Sequence, residues 1–388
     1  MNEHLTTTVN VYYIIFFSMI IFFTSYWFVS NNKLLRLQQK SIFTDYRFWI
    51  PCLIYTILLG YRWNFAYDWW QYYQTFEYIQ HGLLYRDNTE KGYLIINYLL
   101  GYLGFNFYSI FILESFVFFT SVFILLKHNR RAMIVGLCLV FIAMRFRCLN
   151  LSRQHFAMSI LWIGFFYLLK DKIKAYWTFA LIACTIHTSA IIWILPFYFS
   201  VKINKFFNLR ILLIIFLSCY IFKDIVFDNI IKGSSFLTNY IITNKSYDAA
   251  QMLSETFMWE DKSLFKTFID IFKGISYIIC MNYCLEKNYV KSKIDYIILI
   301  IGYIGLCLVV FGTAHEIISR FMLYCSVFTY LGWGVICEKI IIYRKKFPIT
   351  LLILASIVIL HYLYSMYPTI LHEVENNCYI EYRITSFI

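Results

Sequence analysis

Residues 170–205 read KDKIKAYWTFALIACTIHTSAIIWILPFYFSVKINK. Lys170, Lys172 and Lys174 stand before an apolar run over 175–200, and Lys202 and Lys205 stand after it. Short loops rich in Lys and Arg stay on the cytoplasmic side of a bilayer. A crossing takes about 20 apolar residues, so a run of this length with both ends on one side cannot be a single crossing. It has to turn back. The spacing predicts two short helices that meet near Thr185–Ser189, a re-entrant pair with His187 at its tip. Irregular backbone at that depth is tolerated only where protein or a water-filled cavity surrounds it.

Working outward from this stretch, further apolar segments fall near 9–29, 48–61, 93–126, 132–149, 153–169, 210–228, 264–285, 294–313, 317–337 and 348–366. The chain is 61% hydrophobic and 14% charged, with a mean hydropathy of +0.63. A soluble chain carries roughly 25% charged residues, so that class is excluded. The segments are continuously apolar rather than alternating, which argues against a membrane barrel. The fold expected is all-α: a polytopic integral membrane protein of about 12 transmembrane helices, one transmembrane domain over 1–388. Segment 93–126 is too long for one upright crossing. It predicts a crossing preceded by a short or re-entrant helix around 92–104, with a break near Gly101–Gly104. Residues 61–91 and 229–263 form the two longer extracytoplasmic loops. An amphipathic helix near 68–80 is expected to lie in the interface, with Asp68 in its first turn.

Six short loops (30–47, 127–131, 170–174, 201–210, 286–293 and 338–346) carry 20 of the 34 Lys and Arg residues and only four acids. They hold +16 of a chain whose total is +12, leaving −4 for the rest. These loops are read as cytoplasmic, and both termini then lie outside. The same distribution makes the positive charge a matter of orientation in a lipid bilayer rather than of binding nucleic acid. The 11 cysteines lie mostly inside apolar runs without metal-ligand spacing, and read as small core residues.

Seven arginines oppose this pattern: Arg62, Arg86, Arg145, Arg147, Arg153, Arg320 and Arg383 fall on or just inside the outer face. Arginine there is unfavourable for orientation and insertion, so a cluster of it suggests an anionic ligand. Guanidinium groups fork onto phosphate oxygens. Snorkelling to headgroups is the alternative for Arg145 and Arg147. Arg153 and Gln154 open a span directly after those two. Arg62 and Asp68, six residues apart, read either as a local ion pair or as a phosphate ligand beside a hydroxyl ligand. Trp69, Trp70 and Tyr72 are candidate sugar platforms. His187 is an intramembrane ionisable group at a break that topology already demands, and a neutral imidazole accepts a proton from a hydroxyl. Glu316, Arg320 and Tyr324 follow one another by single helical turns, the spacing of an intrahelical ion pair. There is no GxxxxGK[ST], Asp-x-Asp, HExxH or GxSxG. Any catalysis is therefore expected to use no metal and no cofactor, with a donor already anchored in lipid.

Arg62-x5-Asp68-x3-Tyr72, then Glu90-Lys91-Gly92-Tyr93, then Arg153-Gln154, then Ala183-x3-His187-x-Ser189 with Pro196 beyond, form an ordered series. In this series the chain resembles the EpsG family, a branch of the Wzy-type O-antigen and exopolysaccharide polymerases. The likeness covers roughly residues 60–330. It implies a membrane glycosyltransferase of the bacterial inner membrane with its active site facing outward. Such enzymes move a growing chain from undecaprenyl pyrophosphate onto the next lipid-linked repeat unit, making exopolysaccharide or lipopolysaccharide. A chain-length regulator and a flippase are the further partners it implies. On this reading Arg153, Arg320 and Arg62 grip pyrophosphate, and Gln154 orients it. His187 is the first-choice base and Asp68 the second. Glu90, Tyr72, Tyr324, Arg145 and Arg147 complete the substrate-binding set. A lipid-linked oligosaccharide flippase and a membrane O-acyltransferase are the competing functions.

Overall fold

The structure is a computed structural model. It describes residues 2–28, 44–65, 68–84, 89–203, 208–223, 225, 264–312, 316–376, 380 and 381, without the side chains of 2, 145–149, 264, 312 and 316–319. The loop expected over 229–263 lies outside the described residues, as do Arg86, His315 and Arg383. Among the described residues every regular element is helical, and a lone antiparallel bridge joins Trp63 to Glu381. Six helices are long and apolar enough to cross a membrane, over 3–27, 108–125, 265–286, 293–311, 320–342 and 349–375. Shorter apolar helices accompany them. Among the described residues six helices thus have the length for a crossing, against the expected total of about 12.

The chain falls into two compact units, Met1–Ile203 with Ile359–Ile388, and Asn204–Val358. The first holds α1 (Asn2–Trp27), α2 (Tyr46–Gly60), α3 (Trp69–Gln80), α4 (Lys91–Tyr102), α5 (Tyr108–Leu125), α6 (Met133–Asn150), α7 (Ser152–Leu168), α8 (Ile173–Ile186) and α9 (Ile191–Ser200). The second contains α10 (Leu264–Glu286), α11 (Lys293–Gly312) and α12 (Glu316–Ile342), after an apolar helical run over 209–223. Helix α13 (Ile349–Tyr364) begins in the second unit and ends in the first, where α14 (Met366–Glu375) packs beside α1.

The break expected near Gly101–Gly104 is a helix end. Gly104 sits at φ +82, its N–H donates to the Gly101 carbonyl at 2.9 Å, and the Phe105 N–H reaches back to Leu100 at 3.1 Å. This pair of bonds satisfies the last carbonyls of α4 and requires a left-handed residue, which glycine supplies without strain. The stretch 173–200 also divides as its length demanded. Helix α8 stops at His187, whose backbone is extended at φ −151, ψ 122, and a 3-10 turn over Thr188–Ala190 leads into α9. Tyr176, early in α8, donates its hydroxyl to the carbonyl of Ile194 and lies 6.3 Å from the Tyr198 ring, late in α9. The two helices therefore run antiparallel. At 1.5 Å per residue they are roughly 21 and 15 Å long, each short of the ~30 Å hydrocarbon layer. Lys170–Lys174 and Lys202 consequently share one end of the unit, and His187 marks the other.

That polarity is repeated by α2 and α5. Both run between two polar ends. At one end Asp45 caps α2, accepting from the Arg47 backbone N–H at 3.1 Å, from Arg47 Nε at 3.0 Å, from Tyr26 Oη at 2.9 Å and from Arg130 Nη1 at 3.2 Å. Burial alone would push the Asp45 carboxyl up; the bonds from Arg47 and Tyr26 outweigh it and hold the group below the usual carboxylate range. Arg47, Lys127, Arg130 and Lys170 gather at this end. The other end gathers Arg62, the start of α5 and the α6–α7 turn.

Candidate active site

Helix α3 brings the aromatic stretch onto this second end, and its sequence explains why. Trp69, Tyr72, Thr75 and Phe76 are its buried residues, three to four apart, so one stripe faces the protein. The element lies where the interfacial helix was expected. Asn150, the last residue of α6, pins it: its Oδ1 accepts the Asp68 N–H at 3.3 Å, and its carbonyl accepts the Tyr72 hydroxyl at 3.2 Å. Burial, with the nearby Asp68 charge adding to it, pushes the Tyr72 phenol up, so it remains a donor. Trp69 is 1% exposed, stacked 5.5 Å from Tyr73, while Trp70 is 45% exposed. Of the three candidate sugar platforms, only Trp70 presents its ring to the outside of the protein; Trp69 and Tyr72 are packed beneath it.

Arg62, just past α2, is 1% exposed. Its guanidinium donates to the Leu59 carbonyl at 2.5 Å and to Ser152 Oγ at 3.2 Å, and lies 4.3 Å over the Phe111 ring. Its own carbonyl accepts from Trp69 Nε1 at 3.3 Å. Arg62 thereby ties α2, α3, α5 and the first residue of α7 together. Burial draws its pKa below the ordinary guanidinium value, against the opposing pull of Glu114. Glu114, in the middle of α5, lines a small cavity with Arg62, Ser115, Ser152, His155 and Tyr55. The cavity has room for about one water. Arg62, Ser152, Tyr93 and Arg153 surround the Glu114 carboxyl. The sequence reading missed Glu114. A single acid inside SIFILESFVFF was the available signal, since an ionisable residue in a span marks a site by default.

Arg153 is placed differently. Its Nη1 donates to Glu90 Oε2 at 2.8 Å, and the other oxygen of Glu90 lies 3.3 Å from His187 Nδ1. The three side chains come from the first turn of α7, the residue before α4 and the tip of the α8–α9 hairpin, and are 26%, 13% and 28% exposed. Gly92 makes the approach possible: a Cβ there would meet Thr185 Oγ1 at 2.3 Å and the Thr185 carbonyl oxygen at 2.6 Å. His187 Nδ1 also faces the Ser189 N–H at 3.4 Å. One nitrogen cannot accept from Ser189 and donate to Glu90 at once, so the two contacts belong to two tautomers.

Arg153, Glu90 and His187 are thus brought together, and Arg62, Asp68 and Tyr72 lie around the same helix ends. Gln154 is buried, at 4% exposure. Arg145 and Arg147 occupy the last turns of α6, with side chains outside the described set. Arg320 and Tyr324 belong to the second unit, Arg320 half-buried near the start of α12 and Tyr324 fully buried one turn later. Among the described residues no group of His, Cys, Asp or Glu is arranged to hold a metal ion.

A family model described as the EpsG family matches residues 45–384. The chain belongs to the EpsG family. The match spans the site, from the Asp45 cap through the Arg153–Glu90–His187 group to α14 and beyond. None of the curated proteins and none of the solved structures compared gives a match. As an EpsG-family chain with multiple apolar helices, it is a multi-pass membrane protein related to the exopolysaccharide polymerases.

Proposed function

We propose that this protein is a polysaccharide polymerase that joins undecaprenyl-pyrophosphate-linked oligosaccharides at the outer face of the bacterial cytoplasmic membrane. The observation that carries the reading is the grouping of Arg153, Glu90 and His187 at the end of the first unit opposite its basic loops. A cation fitted to phosphate and an imidazole fitted to a hydroxyl stand on two sides of one carboxylate.

In the reaction, the acceptor sugar's hydroxyl oxygen bonds to the anomeric carbon of the donor chain. The bond from that carbon to pyrophosphate breaks, and its electron pair leaves with the lipid pyrophosphate. Arg153 is the fixed donor aimed at that growing charge. His187 takes the hydroxyl proton at Nε2, with Asp68 as the alternative base. Trp70 is the sugar platform, and Arg62 is reassigned from gripping pyrophosphate to holding the start of α7, and hence Arg153, in place. A flippase delivering the lipid-linked unit and a chain-length regulator are its expected partners.

Reconstitution with a purified lipid-linked repeat unit, followed by gel separation, tests the reading. A ladder of lengthening products that vanishes in Arg153→Ala supports it. Unaltered substrate appearing on the far side of the bilayer would make the protein a flippase instead.

A further inference from the structure

We infer that Glu90 selects the working tautomer of His187, and that the occupancy of Arg153 by a diphosphate governs the strength of that selection. The inference rests on the polymerase reading and deepens it. Glu90 is a positioning residue here, since it acts through His187.

The geometry poses a choice at one atom. When Nδ1 accepts from the Ser189 N–H at 3.4 Å, the proton of a neutral ring must sit on Nε2. That tautomer has nothing at Nε2 with which to accept a proton. When Nδ1 carries the proton, it donates to Glu90 Oε1 across 3.3 Å, and the lone pair moves to Nε2. Only this second form is a base toward a sugar hydroxyl. A carboxylate behind an imidazole fixes the tautomer and stabilises the imidazolium formed on proton transfer.

The carboxylate is shared. Glu90 Oε2 accepts from Arg153 Nη1 at 2.8 Å, so part of its charge is neutralised in the resting site. A diphosphate competes with Glu90 for the guanidinium, because both are oxyanions suited to the same fork. As Arg153 turns to the diphosphate, the charge on Glu90 is left to His187, and the Nδ1–H form gains. The base is then armed by the donor's arrival, and water at an empty site meets a weaker base. Among the described residues, the charged and titratable groups around the cluster include Arg153, Tyr93 whose ring lies 5.9 Å from the Arg153 guanidinium, Tyr72 with Asp68 beside it, and Glu114.

The test uses the full-length protein in nanodiscs with ¹⁵N-labelled histidine, the His187 signals being assigned by their loss in His187→Gln. Inorganic pyrophosphate is the probe. The wild type should show the Nδ1–H tautomer, and pyrophosphate should shift its ratio to the other form by about tenfold, the effect of roughly one unit from a neighbouring charge. In Glu90→Gln, the amide oxygen is held by Arg153 and the NH₂ faces Nδ1, so the Nε2–H form should dominate with or without pyrophosphate. An Nε2–H ring in the wild type, or no change of tautomer in Glu90→Gln, overturns the inference. Pyrophosphate binding that depends on Arg153 but leaves the His187 signals unmoved overturns the coupling and spares the polymerase reading. Absence of any Arg153-dependent binding overturns both.

Discussion

Replacing Arg62 by leucine distinguishes an internal tie from a ligand-binding cation. The side chain is 1% exposed, donates to Leu59 and Ser152, and lines one small cavity with Glu114. Arg62→Leu removes these hydrogen bonds and takes from Glu114 a buried counter-charge. Removing one member of a buried pair costs about 3–5 kcal/mol, while removing both members together is often close to neutral. Arg62→Leu and Glu114→Leu should therefore each destabilise strongly, and the double variant should recover much of the loss. The coupling, of order 2–3 kcal/mol, is measured by a double-mutant cycle on SDS-induced unfolding followed by tryptophan fluorescence. Additive effects within about 0.5 kcal/mol would refute the pairing. Wild-type stability in Arg62→Leu with lost polymerisation would return Arg62 to the substrate.

Arg153→Lys keeps the charge and loses the fork, so polymerisation should fall by about 10²–10³ in rate while membrane insertion is unchanged, measured on the product ladder. Gly92→Ala places a methyl against the Thr185 backbone and should push the hairpin tip from Glu90. Activity should fall with a stability loss of about 1–3 kcal/mol, and an unimpaired Gly92→Ala enzyme would show that the close approach is dispensable. Asp45→Asn should destabilise by about 3–5 kcal/mol, because it strips the shared partner from Arg47 and Arg130. Since the folded state holds the Asp45 carboxyl below its ordinary value, its contribution is full above the usual carboxylate range and is lost as pH falls through the folded value. The stability gap between wild type and Asp45→Asn, followed by the same unfolding assay, should accordingly narrow on acidification.

Much of the fold was legible because the signals are local. Basic loops at 127–131 and 170–174, a 26-residue run flanked by lysines, and a glycine at 104 each constrain their own neighbourhood. Bilayer thickness and backbone sterics convert such patterns into helix ends without reference to the rest of the chain. His187 at a break and Arg153 at a helix start were visible in that way, while Glu90 came only from the family resemblance. Their meeting was not visible. The cluster depends on Gly92 lying against Thr185, 93 positions away, and only the packing of α4 on the hairpin brings that about.

The sequence alone determined a helical membrane protein, the distribution of its charged loops, a helical break within 175–200 and a helix near 68–80, because hydrophobic length and charge asymmetry act within single segments. Tertiary structure decided which charges meet. It buried Arg62 against Glu114, turned Trp69 inward and Trp70 outward, and joined Arg153, Glu90 and His187. Side chains from separate helices become neighbours only through helix crossing and close packing, and no periodicity in one segment encodes the partner supplied by another.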